Sequence, residues 1–133
     1  MGFTPIAKDA FSSGQVGSKL WLCETLERVL EKNNQENGVQ TASTIWIYGG
    51  WQGILGFMLL TRPVFSHSRI RSFDLDPKST DTANIVCENW VWREWQFRAF
   101  TADCSDLDLK SGEFGPEPTM IINTSVEHFE NRV

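Results

Sequence analysis

The sequence lacks a surplus of basic residues. Its 133 residues include 12 Lys and Arg against 17 Asp and Glu, which gives a formal net charge of −5. A protein that holds nucleic acid without regard to sequence needs a positive surface to displace counterions from the phosphates. The charge balance therefore argues against non-specific nucleic-acid binding.

Cysteine is scarce, and long apolar runs are missing. The Cys residues number 3 and show no C-x-x-C spacing, so the sequence predicts neither a disulfide framework nor a zinc site. The longest apolar run, residues 54–60, is far shorter than the roughly 20 residues of a membrane-spanning helix. The first residues also lack the apolar stretch of a secretory signal. We therefore expect reduced, buried thiols in a cytoplasmic protein with no membrane contact.

The composition suits one globular domain. Hydrophobic residues make up 41% of the chain and aromatic residues 12%, which is too apolar for a disordered protein. The length leaves room for a single core, so residues 1–133 are expected to form one domain with one site. Residues 1–16 are rich in Gly, Ser and Pro and are predicted to form an N-terminal arm.

Predicted helices and strands alternate after the arm. Apolar residues recur at helical spacing from Ser18 to Glu31, and the β-branched stretch from Thr44 to Tyr48 predicts a buried strand. Strands separated by helices generally run parallel, and right-handed crossovers place the first strand centrally. The sequence therefore predicts an α/β fold with a doubly wound parallel sheet in the order 3-2-1-4. Its remaining elements are predicted as helix 54–61, strand 70–75, helix 80–92, strand 96–102 and strand 119–123.

The unusual residues fall at the carboxyl ends of the predicted strands, where open α/β sheets bind ligands. Glycines let the backbone approach a ligand, and a carboxylate about 20 residues later can accept both ribose hydroxyls. The pattern indicates a site for an adenosine-type ligand. The residues concerned are Gly49, Gly50 and Gly53 after the first strand, Asp74 and Asp76 at the second, Asp103 at the third and Asn123 at the fourth.

Four segments resemble the class I S-adenosylmethionine-dependent methyltransferases, particularly phage-encoded and environmental members. IWIYGGWQGILG is similar to the family's glycine-rich first motif, and IRSFDLDP to the acidic end of its second strand. FTADCSDL is similar to the adenine-proximal loop after the third strand, and TMIINTSVEHF to the fourth strand and the helix start that follows it. These segments occur in the family's order over residues 44–130, which makes the resemblance more specific than a single glycine motif.

The resemblance implies a Rossmann-like fold and S-adenosylmethionine as cofactor, with S-adenosylhomocysteine as product. It assigns Gly49 and Gly53 to the methionine part of the cofactor. It assigns Asp74 to the ribose hydroxyls and Asp103 to the adenine amine, with Leu75 or Cys104 beside the ring. The cofactor-binding residues expected in this way are Gly49, Gly50, Trp51, Gly53, Asp74, Leu75, Asp103, Cys104 and Asn123.

Some positions depart from the family pattern. Trp51 replaces the usual middle glycine and narrows the turn, while Ile47 stands where many members carry an acid. Asn123 is followed by Thr-Ser-Val, not by the Pro-Pro-aromatic sequence of many nucleobase-amine methyltransferases, so that acceptor loses support. Methyl transfer needs mainly the alignment of donor and acceptor, and no catalytic residue or metal ligand is assigned. The methyl acceptor is left open.

Several of these residues also have a structural explanation. The glycine turn could serve strand-to-helix packing alone, and Asp76 before a proline is expected to be a carboxylate that leads a helix. Asp103, together with Asp106, could cap a loop. His128 is predicted to be a surface helix residue and not a base or a metal ligand. Packing or solvation is expected for Lys19, His67, Trp90, Trp92 and Trp95.

The family's sheet has more strands than the four identified here, and the chain ends soon after Asn123. We therefore expect a truncated piece of a longer protein, or a partner chain that covers the fourth strand, and no methyl transfer by this chain alone. A homodimer is expected through that strand, because Thr119 to Ile122 contains no charge or proline to block pairing. Two alternatives remain: a non-catalytic nucleotide or S-adenosylmethionine binding module, and a fragment of an NAD-binding oxidoreductase, whose Gly-x-Gly-x-x-Gly is not matched.

Overall fold

The structure is a computed structural model that describes residues 13–37, 43–49, 53–91 and 95–124. The strands are β1 (Thr44–Tyr48), β2 (Arg69–Asp74), β3 (Phe97–Thr101) and β4 (Met120–Asn123). The α-helices are α1 (Ser13–Asn37), α2 (Ile54–Leu60), α3 (Pro77–Val86) and α4 (Glu88–Val91). Single turns of 3-10 helix span Pro63–Phe65 and Cys104–Asp106. No helix in these ranges is long and apolar enough to cross a membrane.

Some predicted boundaries differ from the structure. Helix α1 begins at Ser13, inside the stretch predicted as an arm, while residues 1–12 of that arm lie outside the described ranges. Helix α3 begins at Pro77, before the predicted start at Thr80, because Asp76 caps it and proline is well suited to the first helical position. The backbone leaves the helical region at Cys87 and divides the predicted helix into α3 and α4.

The strands form a four-stranded parallel sheet in the order β3-β2-β1-β4, which confirms the predicted topology. The chain moves outward from β1 to β3 through α2 and α3, and then returns past β2 and β1 to reach β4. Right-handed crossovers in opposite directions must pass over opposite faces of a sheet. The β3–β4 connection is therefore expected on the face away from α2 and α3.

One face of the sheet packs against the helices. Every second side chain of each strand points to this face, and these side chains include Ile45, Ile47 and Ile70. They share a core with residues of α1, α2 and α3, among them Cys23 and Leu59. Burial of these side chains supplies the main apolar stabilisation of the described part of the chain.

The opposite face carries aromatic side chains in place of the aliphatic ones. Trp46 and Phe73 are buried there, with ring centroids 4.9 Å apart, and Phe100 stacks on Phe73 at 5.8 Å. Phe114, from the β3–β4 connection, packs its ring edge against Phe73 at 5.0 Å. The connection thus covers this face, as the crossover rule requires, through an aromatic contact. We call residues 107–119 the crossing segment.

Candidate functional site

The loops after β1, β2 and β3 meet at the carboxyl edge of the sheet. The Gly49 N–H donates to the Phe73 carbonyl at 2.8 Å, which ties the end of β1 to β2. The Ala102 N–H donates to the Asp74 carbonyl at 2.9 Å, which ties the start of the β3 loop to the end of β2. Gly49 has a φ of 72°, a left-handed conformation that favours glycine. These bonds bring together predicted site residues that lie far apart in the sequence.

Cys104 lies in the loop after β3, close to Gly49, Asp103 and Asp74. Burial raises the pKa of its thiol, while a hydrogen bond from the Gly49 backbone acts in the opposite direction. The charges of Asp103 and then Asp74 raise the pKa further. The half-buried thiol is therefore near the residue after β1, the last residue of β2 and the loop after β3. Gly49, Asp74, Asp103 and Cys104 thus lie near one another at this edge, and their role in binding a cofactor stays a prediction.

The carboxylates of Asp74 and Asp76 form different hydrogen bonds and have different structural roles. The Asp74 Oδ1 atom accepts the N–H of Asp76 at 3.0 Å, which orients the Asp74 carboxylate at the end of β2. The Asp76 carboxylate caps α3, since it accepts the N–H of Lys78 at 3.0 Å and the hydroxyl of Ser79 at 3.1 Å. The prediction that Asp76 leads a helix is confirmed. Asp74 is the carboxylate that lies at the strand end itself.

Asp103 also takes part in local structure. Its Oδ1 atom accepts the N–H of Ser105 at 3.0 Å and the hydroxyl of Ser105 at 2.7 Å, and thereby caps the 3-10 turn after β3. The predicted capping role is thus present. A carboxylate oxygen can accept more than one hydrogen bond, so this cap leaves the expected adenine contact a prediction.

Gly53 occupies a crowded position between α2 and α3. It has a φ of 81°, and a Cβ atom added there would lie 2.9 Å from the Cα of Ala83. Its carbonyl accepts the Cys87 thiol at 3.6 Å. Packing alone is enough to require glycine here, as the alternative explanation of the turn proposed. Gly50 and Trp51, the other predicted turn residues, lie outside the described ranges.

The end of β4 is tied to the glycine turn by a residue that the sequence did not single out. The Thr124 hydroxyl is 2.8 Å from both the Tyr48 and the Gly49 carbonyls, and its N–H donates to Tyr48 at 2.9 Å. Asn123 pairs with Tyr48 in the ladder, so it lies at the same edge. The sequence signal that could have identified Thr124 is a hydroxyl side chain directly after a predicted strand.

The remaining predicted residues are distributed as follows. Leu75 follows β2 with 54% of its surface exposed, so an apolar side chain is available at the edge. Ile47 is buried in the helix-side core and contributes no polar group. Lys19 is half-buried on α1, which lowers its pKa, and Trp90 packs on Phe57 at 5.5 Å. His67 is exposed, whereas Trp92 and His128 lie outside the described ranges.

Within the described ranges, no cluster of His, Cys, Asp and Glu is arranged to hold a metal ion. The edge offers instead a left-handed glycine turn, two oriented carboxylates, an exposed leucine and a half-buried thiol. Such a set can hold a ligand that has hydroxyl or amine donors and an apolar ring.

The whole fold is similar to solved methyltransferases, although no family model and no curated protein matches the chain. The magnesium protoporphyrin IX methyltransferase of Synechocystis, solved with bound SAM, has a TM-score of 0.59 at 14% identity, covering 90% of this chain and 50% of that one. The bifunctional kinase-methyltransferase WbdD has a TM-score of 0.59 at 12% identity, covering 83% of this chain and 22% of that one.

A third similar structure is the sugar N-methyltransferase of a Streptoalloteichus species. It has a TM-score of 0.52 at 18% identity, covering 83% of this chain and 41% of that one. This chain therefore spans half or less of the length of these proteins. At such identities the likeness establishes the fold, which is the parallel α/β architecture predicted from the sequence.

Proposed function

We propose that the chain binds S-adenosylmethionine at the carboxyl edge of the sheet and belongs to a methyltransferase. The observation that carries the proposal is that backbone hydrogen bonds join the ends of β1 and β2 to the start of the β3 loop, which brings Gly49, Asp74 and Asp103 to one edge, in a fold similar to a methyltransferase solved with bound SAM. Carboxyl edges of parallel sheets are the usual ligand sites of such folds. Fold likeness alone would not carry this function.

The residues present fit the cofactor. The left-handed turn at Gly49 lets backbone approach the methionine part, and Thr124 holds the carbonyls of that turn in place. Asp74 accepts the ribose hydroxyls from the end of β2. Asp103 accepts the adenine amine, and the exposed Leu75 packs beside the ring. Each contact uses a group that lies at the edge or in the loop directly after it.

When bound, the cofactor supplies an activated methyl group on a sulfonium, so the protein's main task is alignment. The edge residues of this chain orient the cofactor and do not need to move a proton. The nucleophile comes from the acceptor, whose chemical class we leave open.

We also propose that two copies associate through the outer edge of β4, the expectation stated from the sequence.

Calorimetric titration of the chain with S-adenosylmethionine and S-adenosylhomocysteine tests the proposal. We expect Asp74→Ala to weaken the binding of both ligands, because a carboxylate that accepts two hydroxyl hydrogen bonds contributes about 1.5–3 kcal/mol to the free energy of binding. That loss corresponds to roughly a tenfold to hundredfold change in Kd. Asp81→Ala is the matched control, since it removes the same charge from an exposed position of α3.

Equal affinity of the Asp74→Ala variant and the unmodified chain would remove Asp74 from the site. A parallel titration with NAD separates the oxidoreductase alternative, because tighter binding of NAD than of S-adenosylmethionine would overturn the proposal. Thermal melting of each variant shows whether a lost affinity reflects a lost fold.

A further inference from the structure

Three arginines occur together on the aromatic face of the sheet, toward the amino ends of β2 and β3. Arg69 begins β2, Arg71 follows two positions later, and Arg98 pairs with Arg71 in the ladder. Side chains two positions apart on a strand share a face, and neighbouring strands lie about 4.8 Å apart. The backbone therefore directs three guanidinium groups to one region, at the end of the sheet opposite the proposed cofactor site.

Arg71 is the buried member of this arginine cluster, with 4% of its surface exposed. Its Nε atom donates to the Phe114 carbonyl at 2.9 Å. Its Nη1 atom donates to the Trp95 carbonyl at 2.6 Å and to the Ile70 carbonyl at 3.1 Å. These acceptors are neutral, and Nη2 forms no hydrogen bond with any described residue. A buried charge is ordinarily balanced by an opposite charge.

Such an opposite charge is absent from the described part of the chain. The ion pair found there joins Arg62 to Glu27 at 3.2 Å, and no described carboxylate pairs with the arginine cluster. Burial, followed by the charges of Arg69 and Arg98, lowers the pKa of Arg71 to about 10. Arg98 lies over the ring of the exposed Trp95, 5.0 Å from its centroid. The cluster thus holds positive charges that repel one another, in a chain that is acidic as a whole.

The crossing segment leaves room beside the Nη2 atom of Arg71. Gly115 has a φ of 105°, and a Cβ atom built on it would lie 3.6 Å from that Nη2 and 3.7 Å from Nε. A side chain here would be in van der Waals contact with both donor atoms, whereas glycine keeps that position beside them free of a side chain. Gly115, which has a left-handed backbone and no side chain, therefore lies next to Nη2 of Arg71. This is the guanidinium nitrogen that has no acceptor among the described residues.

We propose that Arg69, Arg71 and Arg98 bind a phosphate-type oxyanion, either free phosphate or the phosphate group of a small molecule. Guanidinium groups present paired N–H donors whose geometry matches such oxyanions, and a dianion offsets more of the cluster's charge than a single carboxylate does. The site is independent of the proposed cofactor site, because it occupies the other end of the strands and uses none of its residues.

The test is calorimetric titration of the full chain with phosphate, pyrophosphate and citrate, without S-adenosylmethionine, at one ionic strength maintained with sodium chloride. We expect saturable binding of phosphate and pyrophosphate, weakened about tenfold by Arg98→Gln and by Arg69→Gln. Arg28→Gln is the matched control, because it removes the same charge from an exposed position of α1, and we expect it to leave the Kd unchanged.

Several results would overturn the proposal. They are the absence of saturable binding, equal affinity of all variants, an equal loss in Arg28→Gln, and tighter binding of citrate than of pyrophosphate. A measurement on the unmodified chain does not depend on how the variants fold: the Nε–H resonance of Arg71 should shift on addition of phosphate. If phosphate binds and this resonance stays in place, Arg71 is not part of the site.

Discussion

At the residue scale, glycines with similar backbone conformations have different surroundings. Gly53 and Gly112 have φ values of 81° and 76°, so each would strain another residue. Space is open around Gly112, whereas a Cβ atom at Gly53 would meet the backbone of Ala83. Conformation and packing can therefore be separated by comparing the two positions.

We expect Gly53→Ala to lower the free energy of unfolding more than Gly112→Ala. The left-handed conformation costs an alanine about 1–2 kcal/mol at either position. Close packing against α3 adds about 1–3 kcal/mol at Gly53 alone. Urea denaturation of both variants measures the difference. Equal losses would mean that α2 and α3 separate easily, and that packing does not explain the glycine.

The same scale shows what the sequence could reveal about single residues. Asp76 was correctly predicted as a carboxylate that leads a helix, because Asp-Pro is a local signal that needs no tertiary contact. The burial of Arg71 had no such signal, since an arginine inside a strand ordinarily indicates an exposed face. It is buried because Phe114, 43 positions away, covers it and accepts its N–H. Contacts between distant segments of this kind cannot be derived from local pattern.

At the element scale, α3 shows how a polar helix is placed. It contains few apolar residues, and its start was predicted at Thr80, about one turn late. The start is set instead by hydrogen bonds from the Lys78 N–H and the Ser79 hydroxyl to Asp76, with Pro77 at the first helical position. Only Leu75 and Asp76 separate α3 from Asp74, so the start of the helix lies beside the candidate site.

We expect Asp76→Ala to lower the free energy of unfolding by about 1 kcal/mol, the usual effect of removing an N-cap. Asp76→Asn should retain most of the stability, because the amide oxygen can still accept the Lys78 N–H. Asp81→Ala, on the same helix without a capping bond, serves as the charge control. Chemical denaturation monitored by circular dichroism measures all three variants. If Asp81→Ala lost as much stability as Asp76→Ala, net charge and not capping would be the cause.

At the scale of the whole molecule, the order of the strands was predictable and the covering of the sheet was not. Alternating helices and strands, with the handedness of crossovers, allow few arrangements, and the order β3-β2-β1-β4 is among them. The same rule sends the β3–β4 connection across the second face. It does not specify that Phe114 and Arg71 would join there, because that depends on side-chain packing. The placing of the candidate residues at the carboxyl edge was predictable because it depends on where the strands end, whereas their role in binding stays a prediction.

The outer edge of β4 is the surface through which we propose that two copies of the chain pair. Within the described ranges β4 pairs with β1 alone, and Ile121 on this strand is 43% exposed. Main-chain groups at such an edge favour pairing with another strand, and a two-fold arrangement of identical copies satisfies both edges. The proposed homodimer therefore depends on the edge of β4 and on apolar side chains beside it.

We expect Ile121→Lys to convert the proposed dimer to a monomer, because a charge on an edge strand opposes pairing with a second strand. Ile85→Lys is a close control: Ile85 is 42% exposed on α3, away from the edge, and its replacement should leave the dimer intact. Light scattering coupled to size-exclusion chromatography gives the mass of each species. A monomeric unmodified chain would refute the association, and an unmodified dimer disrupted equally by both substitutions would place the interface elsewhere than β4.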